Sequence, residues 1–358
     1  TYQDVNRMFA EHVLDEIDGR PAAVFTQDYH LALLPRMLRN ADPEILTGQF
    51  WHIPWPSPEI FRICPWQEEL LDGMLGNDLM GFHIGDHCNN FLSTVARCLD
   101  AQTDQEYNLV KYRGDSTLVR PFPISVDFEQ INQDAQSRYV TEEMDRLTDE
   151  LDLGGMIMGL GIDRIDYTKG IPHRLRAFGR FLEKYPEYLG KVVFIQAGVM
   201  SRTGIDAYQA LSDQIDQLLD DINSRFGYAG WKPIIYLPND LPNVTLMALR
   251  RMARFCVVSS LHDGMNLVAK EYVAAQDPDD PGVLVLSRFA GAAEQLELDG
   301  EGALMINPYS MEETSEAIRT AIDMPLEERK ARWQKLNEVV KTANVEKWRE
   351  NFVEALGV

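Results

Sequence analysis

The chain has 358 residues, which at about 150 residues per domain suggests two domains, and a hydrophobic fraction of 45% suited to ordinary globular cores. Its formal charge of −22 excludes the broad basic face that a nucleic-acid partner requires, and no uninterrupted apolar segment reaches the length of a membrane span. Four scattered cysteines (Cys64, Cys88, Cys98, Cys256) form no CxxC pair; with no signal-peptide pattern, they read as small buried hydrophobes of a reducing, cytoplasmic compartment.

In chain order, Thr1 rather than a methionine opens a helical pattern over residues 4–17, so a trimmed or partial chain is expected. Strand-like runs at 22–26, 48–51, 79–82 and 118–124 alternate with helical patterns at 31–39, 58–75 and 87–99. An acidic helical stretch, 142–151, leads to a second series. Its strands are expected at 156–160, 192–196, 234–237, 255–259, 283–287 and 303–306. Its helices are expected at 172–185, 207–223, 243–253, 267–275 and 311–324. Over 207–223, Tyr208, Leu211, Ile215, Leu218 and Ile222 step by three and four, an apolar stripe on one helix face. Alternating strands and helices call for parallel sheets covered on both faces. Two series give an α/β protein of two doubly wound, Rossmann-like domains. We expect residues 1–130 to form the first domain, 131–330 the second, and 331–358 terminal helices. Trp348, Phe352 and Leu356 make the tail an amphipathic helix able to pack on either domain.

Ligands of open α/β sheets bind beyond the carboxyl ends of the strands. Five polar clusters fall there: Gln27-Asp28-Tyr29-His30, His52-Ile53-Pro54-Trp55-Pro56, Asp163 to Gly170, Ser201-Arg202-Thr203-Gly204, and Asp263 to Glu271. Two belong to the first series and three to the second, so a central cleft faced by both sheets is expected. Each cluster has a plainer alternative. Asp28 could cap a helix beginning at Leu31. His52 could be a packed loop histidine. Arg164 and Lys169 could pair with Asp163 and Asp166 on the surface, although two cations and a glycine between strand and helix also suit a diphosphate. Arg202 carries little information alone. Asp220-Asp221 and Asp277 to Asp280 read as a helix end and a Pro-containing turn, and no metal site is expected.

The stretch from Asp263 to Glu271 is the most telling. A buried strand, a glycine turn and a helix start place free backbone N–H groups and a helix dipole where an anion can bind. Glu271 lies seven residues after Gly264, about two turns on, and so shares a face with the helix start. Amides for a phosphate or sugar would then stand near a carboxylate for a ribose diol, unless this is an ordinary turn with a surface glutamate. Around Gly161 to Arg202 the acidic trend reverses, with eight Lys/Arg against four Asp/Glu. Either an anionic ligand or a basic helix face from Arg174 to Lys184 accounts for that excess.

Several segments together resemble the trehalose-6-phosphate synthases of glycosyltransferase family 20. They are Gln27 to Leu31, Phe50 to Pro54, Arg164 to Gly170, Asp263 to Glu271, Gly282 to Ser287, Phe289 to Ala292 and Asn307-Pro308-Tyr309, in order along the chain. The resemblance implies the GT-B fold and a metal-independent, retaining transfer of glucose from UDP-glucose to glucose 6-phosphate, with UDP-glucose as a substrate and no cofactor. It implies that Arg164 and Lys169 hold the donor diphosphate and that Glu271 takes the ribose hydroxyls. Asp263 and the amides of Gly264, Met265 and Asn266, at the start of the helix opened by Leu267, would hold the donor glucose and its phosphate. His52 would contact the glucose ring, Asp28 the acceptor sugar and Arg202 the acceptor phosphate. His52, Asp263, Arg164 and Lys169 would form the catalytic group. Partners would be a nucleotide sugar and a sugar phosphate, with no nucleic acid and no membrane; a homo-oligomer is left open.

The chain departs from the family pattern in two ways. Gln27 stands where the family has His, and the family's amino-terminal glycine-rich loop has no counterpart, since Gly154-Gly155 precedes the second series. Two other readings therefore stay open. One is a same-family transferase with another acceptor, such as a glucosylglycerol-phosphate synthase or a pseudo-glycosyltransferase. The other is a regulatory module that binds nucleotide sugar without turnover.

Overall fold

The computed structural model describes residues 1–198, 206–238 and 240–358. The chain divides into two compact units, Thr1–Ile124 with Glu346–Val358, and Ser125–Val345.

In the first unit, helix α1 (Tyr2–Ile17) starts on a capping box in which Thr1 Oγ1 accepts the Asp4 amide and the Asp4 carboxylate accepts from the Thr1 amino group. There follow β1 (Ala23–Gln27), α2 (Leu34–Ala41), β2 (Leu46–Phe50), α3 (Pro58–Phe61), α4 (Gln67–Met74), β3 (Leu79–Phe82), α5 (Gly85–Cys98), β4 (Gln102–Asp104), β5 (Leu109–Tyr112) and β6 (Asp115–Pro121). The sheet order is β1-β2-β3-β6-β5-β4, parallel from β1 to β6. Its far edge departs from the parallel expectation, because β4, β5 and β6 pair antiparallel. No helix separates these strands, and connections this short reach only an antiparallel neighbour. The single helix expected over 58–75 is two, α3 and α4. Pro65 supplies no N–H and disfavours helical backbone at Cys64, so the helix cannot run through. Trp55, Leu71, Met74, Met80, Phe82, Phe91, Leu92 and Val119 form the buried core.

The second unit contains α6 (Phe128–Ala135), α7 (Arg138–Glu150), β7 (Ile157–Ile162), α8 (Ile171–Lys184), β8 (Val192–Ala197), α9 (Asp206–Phe226), β9 (Ile234–Leu237), α10 (Asn243–Met252), β10 (Phe255–Val258), α11 (Leu267–Ala274), β11 (Val283–Ser287), α12 (Ala293–Leu296), β12 (Leu304–Ile306), α13 (Met311–Asp323) and α14 (Leu326–Thr342). The strand order is β12-β11-β10-β7-β8-β9, parallel throughout. Counted from β7 as the first strand, this is the 3-2-1-4-5-6 order of dinucleotide-binding sheets. The order reverses between β7 and β10. Near-continuous apolar strands fit a sheet covered on both faces, with Phe178, Phe181, Phe194 and Phe255 in its core. Gly159 makes room for this packing, since a Cβ there would lie 2.2 Å from the Phe255 ring.

The last helix, α15 (Val345–Leu356), runs into the segment that belongs to the first unit. Its apolar stripe lies on that unit's sheet, where Phe352 and Leu356 join Phe50, Leu79 and Phe122. Glycines admit it: a Cβ at Gly81 would lie 2.8 Å from Phe352, and one at Gly48 would lie 3.0 Å from the same ring. All four cysteines are free, with Cys88 and Cys256 buried. No helix among the described residues is long and apolar enough to cross a membrane.

Candidate functional site

The reversal point of the second sheet is a cavity of about 410 Å³. Loops after four strands line it: Asp163, Arg164 and Lys169 after β7, Gly198 after β8, Asp240 and Leu241 after β9, and Asn266, Leu267 and Val268 after β10. A reversal of this kind leaves a crevice before any side chain is considered, because the loops on either side of it diverge.

Lys169 reaches the cavity through a short structured loop. Asp166 accepts the Thr168 amide at 2.9 Å and the Thr168 hydroxyl at 2.8 Å, which turns the chain. Burial alone would raise the Asp166 pKa; the bonds from Thr168, then Tyr208, outweigh it and hold the carboxyl below its ordinary value. Gly170 closes the loop with φ at 63°, and a Cβ there would lie 2.2 Å from the Ser259 carbonyl. The Ser259 hydroxyl donates to the Lys169 carbonyl at 3.0 Å, and the Leu261 amide donates to the Thr168 carbonyl at 2.7 Å. The loop is thereby fixed to the end of β10.

The Lys169 ammonium donates to Asp263 Oδ2 at 2.6 Å, with both side chains mostly buried. The same oxygen accepts from the Ser260 hydroxyl and from Asn266 Nδ2, each at 3.0 Å. Asn266 itself has φ 78° and ψ 90°, outside helical geometry, and its Oδ1 caps α11 by accepting from the Ala269 amide at 3.1 Å. The amides of Gly264, Met265 and Asn266 donate to no protein acceptor among the described residues. The helix start at Asn266, Leu267 and Val268 and two cations, Arg164 and Lys169, therefore share one hollow, with the unbonded amides of Gly264 and Met265 just before it in the chain.

The plainer alternative for the cations does not hold. Asp163 pairs with Arg174 at 2.7 Å, not with Arg164 or Lys169. Burial pushes Asp163 upward, and the Arg174 guanidinium, then the Lys169 ammonium, oppose it. Arg174 also donates to the Val257 carbonyl at 2.6 Å, so it ties the ends of β7 and β10 together. It crosses β7 at Gly161, where a Cβ would lie 2.8 Å from the guanidinium carbon. The basic face of α8 explains part of the local positive excess: Arg180 and Lys184 pair with Glu312 and Glu316 of α13. Arg164 is exposed and has no ion pair among the described residues.

Glu271 stands on α11 and is paired with Arg250 of α10. Lys270 is buried and donates to Gln295 Oε1 at 2.6 Å; burial pushes its ammonium down to about 7. Most members of the acidic clusters form ion pairs or lie on a helix. Asp220 and Asp221 sit within α9, Asp277 pairs with Arg251, and Asp280 pairs with Arg329.

In the first unit, Asp28 does not cap the following turn, since its side chain makes no capping bond. It adopts φ 60° and accepts the His52 amide at 3.2 Å. His52 Nε2 lies 2.6 Å from Gln27 Oε1, and its ring packs edge-on against Phe50 and the buried His83. Burial lowers the His52 pKa, with the Asp28 carboxylate opposing. An apolar cavity of about 530 Å³ lies alongside, lined by Tyr2, Tyr29, Trp51 and Trp66 among others. Arg202 lies outside the described residues.

Of the expected site residues, Arg164, Lys169, Asp263, Gly264, Met265, Asn266 and Leu267 come together in the second unit, with Glu271 one helical turn beyond Leu267. Asp28 and His52 come together in the first. The sequence reading missed Arg174, Ser260, Arg250 and the contact of Gln27. A buried arginine is silent in sequence; Ser260, three residues before Asp263, was the one signal within reach.

The sequence profile of glycosyltransferase family 20 matches residues 1–357. The chain is 38% identical to the UDP-forming α,α-trehalose-phosphate synthase of Candida albicans over 99% of this chain and 73% of that one. It is 39% identical to its Pichia angusta counterpart over 99% and 74%. The fold is similar to a crystal structure of such a synthase from Burkholderia xenovorans in complex with glucose-6-phosphate, with TM-score 0.93, 34% identity, and 100% of this chain and 78% of that one covered. It is equally similar to an E. coli structure bound with UDP-2-fluoro glucose, with TM-score 0.93, 34% identity, and 99% and 77% covered.

Proposed function

This chain belongs to glycosyltransferase family 20, and on that premise we propose that it transfers glucose from UDP-glucose to glucose 6-phosphate in the cytoplasm, giving trehalose 6-phosphate and UDP. One observation carries the reading: Arg164, Lys169 and the start of α11 from Asn266 to Val268 line one cavity at the sheet's reversal point. A diphosphate is the ligand such a hollow suits, and a similar solved structure is bound with UDP-2-fluoro glucose.

The roles follow from where charge develops. Breaking the bond between the glucose anomeric carbon and the diphosphate oxygen sends the electron pair to the diphosphate. Arg164, Lys169 and the α11 amides are assigned to receive that charge, which preorganised donors stabilise without reorganising. No metal is assigned to the step. The acceptor hydroxyl oxygen bonds to the anomeric carbon on the face the diphosphate leaves, and its proton passes to a diphosphate oxygen. Configuration is retained, in keeping with a similar trehalose-6-phosphate synthase studied for glycosyltransfer with retention. Lys169 can leave Asp263 for the ligand at modest cost, because Ser260 and Asn266 still satisfy that carboxylate. Asp263 and Asn266 are assigned to the donor glucose, Glu271 to the ribose, His52 to the glucose ring, and Asp28 and Arg202 to the acceptor.

The test is incubation of the chain with UDP-glucose and glucose 6-phosphate, with UDP and trehalose 6-phosphate measured together. Lys169→Ala is expected to lose at least about tenfold in turnover, the scale of one charge-assisted contact to the leaving group, with an unchanged circular dichroism spectrum. Unchanged kinetics would refute the diphosphate role. UDP release with glycerol 3-phosphate alone would move the acceptor assignment, and binding without release would leave a nucleotide-sugar-binding module.

A further inference from the structure

We infer that Arg250 is a positioning residue for the nucleoside end of the donor site, acting through Glu271; the inference rests on the reading of Glu271 as the ribose carboxylate. Arg250 is mostly buried, with 7% of its side chain exposed against 28% for Glu271. Its guanidinium bonds to Glu271 Oε2. An arginine buried beside a partly exposed carboxylate occupies one oxygen and one direction, and leaves the other oxygen for a ligand.

The pair sits one turn behind the cavity wall on both helices. Leu246 of α10 and Leu267 of α11 line the cavity. Arg250 follows Leu246 by four residues, and Glu271 follows Leu267 by four, so each partner lies on the same helix face as a lining residue. A ligand that fills the cavity with its diphosphate and continues along α11 meets Glu271 next.

The two helices are locked where the pair forms. Gln276 Nε2 donates to the Arg250 carbonyl at 2.8 Å and to the Tyr272 carbonyl at 3.0 Å, while its Oε1 accepts the Gly282 amide at 2.7 Å. The Tyr272 hydroxyl donates to the Ala253 carbonyl at 2.9 Å. The end of α10 and the end of α11 are thereby one rigid block. A free glutamate on a helix surface samples several rotamers and would have to be ordered at the moment of binding. Arg250 has already ordered it, so a vicinal diol meets a carboxylate fixed in one orientation.

This predicts a signature that a merely structural arginine would not give. Loss of Arg250 should weaken ligands that carry the ribose diol and spare ligands that lack it. The experiment is calorimetric binding of UDP and of 2′,3′-dideoxy-UDP to the full chain and to Arg250→Gln, Arg250→Lys and Glu271→Gln. Arg250→Gln is expected to weaken UDP about tenfold and the dideoxy analogue less than about twofold, the scale of one charge-assisted bond. Arg250→Lys keeps the charge without the fork and is expected to lose about threefold, again for UDP only. Equal losses for both nucleotides in these variants, or no loss in either, overturns the inference. If Arg250→Gln does not fold, the lysine variant decides by the same criterion. Glu271→Gln separates the two levels. If it too fails to distinguish UDP from the analogue, the ribose reading of Glu271 has failed; if it distinguishes them and the arginine variants do not, only Arg250's role has.

Discussion

Gln27 decides which proton sits on His52. Its Oε1 stands 2.6 Å from Nε2, and an amide oxygen accepts, so Nε2 carries the hydrogen and Nδ1 is the open lone pair. A histidine in that place, the family's usual residue, could itself titrate, whereas an amide cannot. Burial already holds the His52 imidazole below its ordinary 6.5. Burial thus favours the neutral ring, with the Asp28 carboxylate opposing it. The linkage sign follows: a histidine whose folded pKa lies below its unfolded value adds stability above the unfolded pKa, and loses it as pH falls through the folded one. In an NMR titration the His52 ring protons are expected to show a midpoint under 6.5, and Gln27→Glu should move that midpoint upward by placing a second carboxylate beside the ring. A midpoint above 6.5 in the unaltered chain would contradict the burial account. The sequence shows Gln27 only as an unexplained departure. Its meaning depends on the β1–β2 register, which sets Gln27 opposite Phe50, two residues from His52.

At the scale of elements, the strand–turn–helix units were legible and their long-range fastenings were not. Periodicity and breaker residues place β7, β10 and α11 within a residue or two of their observed bounds. What periodicity cannot show is that Gly170 lies against Ser259, because that contact joins two loops about ninety residues apart. The tail is a similar case. Trp348, Phe352 and Leu356 mark a helix face, but only the glycines facing it, Gly48 and Gly81, say which sheet receives it. The Gly170 contact yields a sharp test. Gly170→Ala would place a methyl 2.2 Å from a carbonyl at a backbone angle that alanine resists. The Lys169 loop would have to leave the end of β10. Urea unfolding is expected to show a loss of at least about 2 kcal/mol, combining positive-φ strain with a backbone clash. UDP affinity should fall alongside, since Lys169 rides on the same loop. A stable variant with native affinity would show that the loop is not held by this contact.

For the whole molecule, a net charge of −22 and an anionic ligand pull in opposite directions. Far from the surface a dianionic nucleotide sugar meets the net charge and is repelled. Near the cavity it meets Arg164 and Lys169. Salt acts unequally on the two fields. The screening length shortens from about 30 Å at 10 mM to about 8 Å at 150 mM, which removes most of the long-range repulsion. The contact with Lys169 is screened far less, because that side chain is only 17% exposed. Stopped-flow association of UDP-glucose is therefore expected to quicken from 10 to 150 mM NaCl, with the dissociation rate changing less than the association rate. For most acidic-ligand sites on basic proteins the trend runs the other way, with steering lost as salt is added. A fall in the association rate here would mean that the positive groups around the cavity govern the approach from the outset, and that the acidic surface lies where an incoming diphosphate does not sense it.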